Sequence, residues 1–161
     1  MLGIEAEIAF RFDRAFPPRK QPFERDEVAA AVTAFPAIEI VGSRFCSYAD
    51  TPPIVRVADY MSNAAFVAGR PRPDWRSFDL KTLEASLSID GIEVVRRVGG
   101  NANDPLDQAV ALVNALRAKG GIAAGKFVTT GTYTGLSKAI PARSMRAVFA
   151  GFGSAEMYLT E

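Results

Sequence analysis

Residues 3–10 read GIEAEIAF, and the alternation runs on through Arg11 and Phe12. A period of two places Ile4, Ala6, Ile8, Phe10 and Phe12 on one side of a strand and Glu5, Glu7, Ala9 and Arg11 on the other. The apolar side belongs in a core. The other side sets two glutamates about 6 to 7 Å apart, close enough to repel unless water or a cation separates them. Two readings are open on these residues alone. One is a solvated outer face with Arg11 as partial neutraliser; the other is a site where hard carboxylate oxygens converge on a divalent cation.

The remaining composition narrows the chemistry. The chain has 161 residues, 48% of them hydrophobic, which suits one domain spanning residues 1–161 with a core of its own. Nineteen basic residues against 18 acidic ones argue against a nucleic-acid surface or a polybasic membrane anchor. No apolar run approaches the roughly 18 to 20 residues of a membrane span. No basic-then-apolar signal pattern opens the chain, so a soluble, cytoplasmic protein is expected. Cys46 is the single cysteine, which excludes an intramolecular disulfide; beside Phe45 it reads as a small packed residue. Histidine is absent, which removes Ser-His and Cys-His catalysis and every histidine-ligated metal. Any metal must therefore sit on oxygen ligands, and acid or base work falls to carboxylates, lysine, tyrosine or water.

Along the chain, RAFPPRKQPFERDE (14–27) is a charged, proline-broken loop, with Asp26 as the expected N-cap of a helix from about Glu27 that stops at Pro36. Ala37–Val41, AIEIV, reads as a strand that buries Ile38 and Ile40 and turns Glu39 the opposite way. Next, RVADYMSNAAFVAG (56–69) predicts a helical turn followed by a strand ending at Gly69. Asp90-Gly91 between alternating runs predicts a two-residue hairpin. NDPLDQAVALVNALRAKGG (103–121) predicts a helix capped by Asn103 or Asp104, with Pro105 in its first turn, Leu106, Val110, Val113 and Leu116 on one face, and Gly120 at its stop. GKFVTTGTYTGL, MRAVFAGFG and SAEMYLT (154–160) read as strands joined by glycine turns. The expected fold class is mainly β with a few short helices, without internal repeats, a βαβ rhythm or a phosphate-binding glycine loop.

Six blocks taken in order, GIEAEIAF, FPAIEIVGSRF, VADYMSNAAFVAG, NDPLDQAVALVNAL, AAGKFVTTGTYTGL and RAVFAGFGSAEMYL, resemble the 2-keto-4-pentenoate hydratase branch of the fumarylacetoacetate hydrolase superfamily, which also holds the 4-oxalocrotonate decarboxylases. The resemblance runs over essentially the whole chain. It implies a distorted β-roll and a Mg²⁺ or Mn²⁺ ion held by Glu5, Glu7 and Glu39, the first two matching the family's E-x-E strand and the third its EIVxSR strand. It further implies a lyase that hydrates a 2-oxo or 2-hydroxy-dienoic acid in aromatic-compound catabolism. The metal would stabilise an enolate before water adds; a decarboxylase would reach the same enolate by losing CO₂.

The resemblance also suggests roles at weaker positions. Arg44 would bind a substrate carboxylate or partner a glutamate, Asp59 and Asn63 would line the site or cap a turn, and Thr130, Gly131 and Thr132 would form a ligand-facing turn. Asp59, Arg44 and Thr132 are thus the catalytic candidates. Lys126, where the family has aspartate, reads as solvated. Family members carry a segment ahead of the E-x-E strand, including a lysine thought to act in catalysis, so the resemblance implies that this chain lacks it or receives it from another polypeptide. Edges left open by such a loss would favour a homo-oligomer, or association with a related decarboxylase or hydratase. Tyr60 and the Ala142-Arg143 pair depart from the family pattern. A histidine-bearing lid, which the superfamily's hydrolases use, cannot come from these residues, which argues against C–C hydrolysis. A truncated metal-binding relative without turnover of its own is the alternative.

Overall fold

The computed structural model describes residues 2–138 and 142–159. The opening alternation becomes an 11-residue strand, β1 (Leu2–Phe12), whose residues Ile4, Ala6, Ile8 and Phe10 are wholly buried. It pairs antiparallel along its whole length with β2 (Val32–Gly42), and the pairing puts Glu5 directly opposite Glu39. β3 (Asn63–Ala68) flanks β2, while β6 (Phe127–Thr132) and the short β7 (Ser137–Lys138) flank β1, giving a sheet ordered β3-β2-β1-β6 with β7 beside β1. A second antiparallel sheet is ordered β5-β4-β8-β9, from β4 (Glu84–Ile89), β5 (Ile92–Val98), β8 (Ser144–Phe149) and β9 (Gly153–Tyr158). One apolar cluster lies between the sheets. It joins the inner side of β1 to Ala85 and Leu87 of β4, Met145, Ala147 and Phe149 of β8, and Leu106, Ala109 and Val113 of α3 (Pro105–Leu116). The mainly β expectation holds, with α1 (Arg25–Ala29) and α2 (Pro53–Ala58) as the other helices. No helix among the described residues is long and apolar enough to cross a membrane.

Two expectations held in detail. Asp90 and Gly91 both take positive φ, 48° and 79°, as a type I′ turn between β4 and β5 requires. The Asp90 carboxylate also accepts the backbone N–H groups of Arg143 and Ser144, tying the turn to the start of β8. α3 starts where the cap predicts: the Asp104 side chain accepts the Leu106 N–H, Pro105 fills the first turn, and Gly120 and Gly121 follow the helix with positive φ.

The segment before Pro36 is a correction. α1 ends at Ala29, a turn follows, and from Val32 the residues read as the rest of a helix belong to β2, which passes straight through Pro36. The Pro36 carbonyl accepts the Gly69 N–H just beyond the end of β3, so the N–H that proline lacks would point where the neighbouring strand has already finished. Val32, Ala34, Phe35 and Ala37 are buried in that strand, and burial outweighs the modest helix preference of an alanine-rich run. The cap differs as well: Glu24 precedes the helix, Asp26 stands within its first turn, and the Glu27 carboxylate accepts the Glu24 N–H. Cys46 is exposed rather than packed, because it lies in the loop between β2 and α2, away from the core. The expected last strand ends at Tyr158, and its Thr160 lies outside the described residues.

Candidate metal centre

The outer side of β1 carries Glu5 and Glu7, and the register with β2 brings Glu39 against them. One carboxylate oxygen from each lies within 4.8 Å of the others. Glu7 is 2% exposed, while Glu5 and Glu39 are partly open. Three carboxylates in so small a space repel, and burial denies Glu7 water. Burial first, and then the Glu39 charge, push the Glu7 carboxyl up to about 8; the same two causes raise Glu5. Among the described residues, none of the ion pairs involves any of the three. An all-oxygen, charge-rich, partly buried cluster without a protein cation is the donor set that a hard divalent ion fits.

Backbone geometry fixes Glu7. β6 pairs Thr132 with Glu7 but Thr129 with Ala9, so one extra residue bulges from β6 there. The bulge turns the Gly131 N–H onto Glu7 Oε2 at 3.0 Å, with Gly131 at φ 101°, a conformation that glycine adopts without a Cβ penalty. Thr130 is buried and donates its hydroxyl to the Ile8 carbonyl. The Thr132 hydroxyl accepts the N–H groups of Thr134 and Gly135 and so closes the turn. Asn101, a residue the sequence did not single out, is buried and donates from Nδ2 to the carbonyls of Thr130 and Gly131. The loop that carries it lies so close to β6 that a Cβ on Gly100 would stand 1.7 Å from the Tyr133 oxygen. The Gly99-Gly100 pair ahead of Asn101 was the available signal, since paired glycines mark a close backbone approach.

Glu39 is held from the other side. Asn63, first residue of β3, donates from Nδ2 to Glu39 Oε1 at 2.7 Å. Arg44 and Asp59 meet each other rather than the carboxylates: Arg44 Nη1 lies 2.9 Å from Asp59 Oδ1, and the Asp59 side chain is 4% exposed. Between Asp59 and Asn63, Tyr60, Met61 and Ser62 all take positive φ, 52°, 52° and 66°. Left-handed backbone costs non-glycine residues about 1–2 kcal/mol each, so this run persists only because its surroundings hold it. Ser62 is buried, and its hydroxyl has no partner among the described residues. Lys126 is exposed just ahead of β6, as expected of a solvated lysine.

Glu7, Glu39 and Arg44 open on a cleft of about 620 Å³. Met61, Tyr60, Ala64 and Phe127 form its apolar wall, and Phe127 stacks obliquely between Phe35 and Phe66 at ring separations of 5.5 and 5.7 Å. The cleft therefore has a chelating end and a greasy side.

No family model matches the chain. Among solved structures it is similar to 4-oxalocrotonate decarboxylase from Pseudomonas putida G7, complexed with magnesium and adipate, at 28% identity and a TM-score of 0.80 over 96% of this chain and 59% of that one. The same enzyme complexed with calcium and acetate gives 28% identity and a TM-score of 0.78. Maleylpyruvate hydrolase from Sphingobium sp. SYK-6, in complex with manganese(II) and pyruvate, shares the fold at 14% identity and a TM-score of 0.65, over 98% of this chain and 53% of that one. The chain thus spans well under two thirds of the length of these structures. It has the two-sheet fold of the fumarylacetoacetate hydrolase superfamily and, through its likeness to the decarboxylase, resembles that superfamily's branch of hydratases and 4-oxalocrotonate decarboxylases.

Proposed function

We propose that residues 2–159 form the catalytic unit of a divalent-metal-dependent lyase of the 2-keto-4-pentenoate hydratase type, with Glu5, Glu7 and Glu39 as the metal ligands. The observation that carries this reading is the convergence of three carboxylate oxygens, with no ion-pair partner among the described residues, two of them from glutamates, Glu7 and Glu39, that line a cleft. A bound Mg²⁺ or Mn²⁺ would supply an electrophilic sink for the charge that grows on the oxygen of a 2-oxo acid. The magnesium and calcium complexes of the 28%-identical decarboxylase support the choice of a hard divalent ion.

The residues around the triad do the rest. The Gly131 N–H and the Asn63 amide orient two of the carboxylates, so that lone pairs point to one place before any ligand arrives. The apolar wall of Met61, Tyr60 and Phe127 suits the hydrocarbon tail of a substrate with a single carboxylate. Among the described residues lining the cleft, Arg44 is the one cation, and Asp59 already holds it. That favours hydration of a 2-hydroxy-dienoic monoacid over decarboxylation of a diacid. The likeness to the decarboxylase favours the second reading, decarboxylation, which needs the same sink.

The test is a paired assay with purified protein and Mn²⁺: loss of dienoate absorbance for 2-hydroxypenta-2,4-dienoate, and CO₂ release from 4-oxalocrotonate. Hydration without CO₂ release is expected. CO₂ release alone would establish the decarboxylase reading, and neither reaction with Mn²⁺ bound would leave a metal-binding relative without turnover.

A further inference from the structure

We infer that Arg44 and Asp59 form a positioning latch that sets Glu39, through Asn63, for the metal. The inference rests on the reading of the triad as a cation site and adds to it a role for two residues outside the ligand set.

Arg44 lies in the loop that leaves β2, and its side chain is 53% exposed, yet its guanidinium is fully engaged on one edge. Nη1 donates to Asp59 Oδ1 at 2.9 Å and to the Asp59 carbonyl at 3.3 Å; Nη2 donates to the Asn63 carbonyl at 3.1 Å. The Arg44 backbone N–H donates in turn to Asp59 Oδ2 at 3.2 Å, so one carboxylate grips both the main chain and the side chain of Arg44. The Tyr60 ring lies 5.8 Å from the same guanidinium. A planar fork that reaches both Asp59 and Asn63 spans the left-handed run Tyr60-Met61-Ser62 from one end to the other. Within the run itself the Ser62 N–H donates to the Asp59 carbonyl at 2.8 Å and the Asn63 N–H to the Tyr60 carbonyl, while the Tyr60 and Met61 side chains are exposed and the Ser62 hydroxyl has no partner among the described residues. The strained backbone is thus clamped at its two ends by one arginine. Asn63, at the far end, is the residue whose amide meets Glu39 Oε1.

Asp59 and Asn63 take three of the five guanidinium N–H donors and hold one edge of Arg44 in place, so its position is set by the protein before any ligand arrives. The pairing makes Arg44 a positioning residue and sets the order of influence: Asp59 fixes Arg44, Arg44 fixes the strained turn, and the turn fixes the Asn63 amide on the ligand.

Calorimetric titration of Mn²⁺, with the electron paramagnetic resonance spectrum of the bound ion, tests this in wild type, Arg44→Gln, Asp59→Asn and the double variant. Each single substitution should weaken Mn²⁺ binding by about tenfold or more and broaden the spectrum. The double variant has the net charge of wild type. It should bind no better than the singles, because the geometry is lost either way, whereas a role played by charge alone would return its affinity to that of wild type and overturn the inference. Cooperatively folded single variants that bind Mn²⁺ within twofold of wild type would overturn it too. Should Asp59→Asn fail to melt cooperatively, Arg44→Lys carries the test: it keeps the charge pair but cannot span Asp59 and Asn63, and unaltered Mn²⁺ affinity there would refute the latch. Absence of Mn²⁺ binding by wild type overturns the metal reading and the latch together; binding by wild type with unaffected variants overturns the latch alone.

Discussion

The two sides of β1 are built from the same 11 residues and do opposite things. Its inner side, Ile4, Ala6, Ile8 and Phe10, has no exposed surface and lies in the middle of the core. Each of these side chains is worth more folded than unfolded. The outer side carries Glu5 and Glu7, which are held near Glu39 at a cost, since burial and mutual repulsion favour keeping protons on them. A strand can carry an unfavourable cluster on one side because the other side is so favourable. What distinguishes site from scaffold here is the sign of the contribution, and that sign can be measured.

The largest effect belongs to the inner side. Phe10 is fully buried and meets Trp75 edge to face at 5.2 Å, so Phe10→Ala should cost about 3–5 kcal/mol in denaturant unfolding, with or without metal. A loss below 1 kcal/mol would mean that the strand is not anchored as described. Gly100→Ala tests the support of the outer side. Its Cβ would meet the Tyr133 carbonyl, so the loop or the turn must shift, at about 2–3 kcal/mol, and Asn101 and Gly131 shift with it. Mn²⁺ affinity should fall in that variant even where the protein remains folded; unchanged affinity would uncouple the turn from Glu7.

Glu7→Gln should reverse the sign. In the presence of chelator at pH 8 this variant should unfold later than wild type, by about 1–2 kcal/mol, while losing Mn²⁺ binding. The pH dependence follows from the same group. Below the ordinary value of 4.5 the carboxyl is protonated folded or unfolded, and its burial adds no ionisation cost. Between 4.5 and about 8 the unfolded chain releases the proton and the folded chain keeps it, so the stability of metal-free protein declines as pH rises through that window and levels off above it. Glu7→Gln should flatten the decline, and saturating Mn²⁺ should reverse it, because the ion displaces the proton and binds the folded form. A metal-free wild type that gains stability over the same window would show that the outer side is not strained. The smallest effect is Ser62→Ala: removing a buried hydroxyl that has no partner among the described residues should change stability by less than about 0.5 kcal/mol. A larger loss would reveal a partner for it.

The segment from residue 27 to residue 42 shows what a single sequence can and cannot convey. Residues ahead of Pro36 look helical locally, and only the presence of β1 alongside makes them a strand that runs on to become central where β3 joins it from Ala37. By contrast, Asp90-Gly91 and the Asp104-Pro105 start of α3 encode their structure within a few bonds and were readable at once. The site divides in the same manner. Glu5 and Glu7 share a face by the two-residue period, and Glu39 stands out as a carboxylate in an apolar strand. Asn101 gave only the hint of its glycines, because its hydrogen bonds reach residues 29 and 30 positions away.

By itself the sequence determined which residues would form the core strand and where the hairpin and the long helix would lie, because periodicity and turn chemistry act over short stretches of chain; that Glu5, Glu7 and Glu39 share one ion was what the family resemblance implied. The tertiary structure decided that Glu5 faces Glu39 across a strand pair, that a bulge in β6 sends an N–H to Glu7, and that Arg44 closes on Asp59. Register, bulges and ion pairs depend on which distant segments come to lie side by side, and that follows from burying the whole core at once.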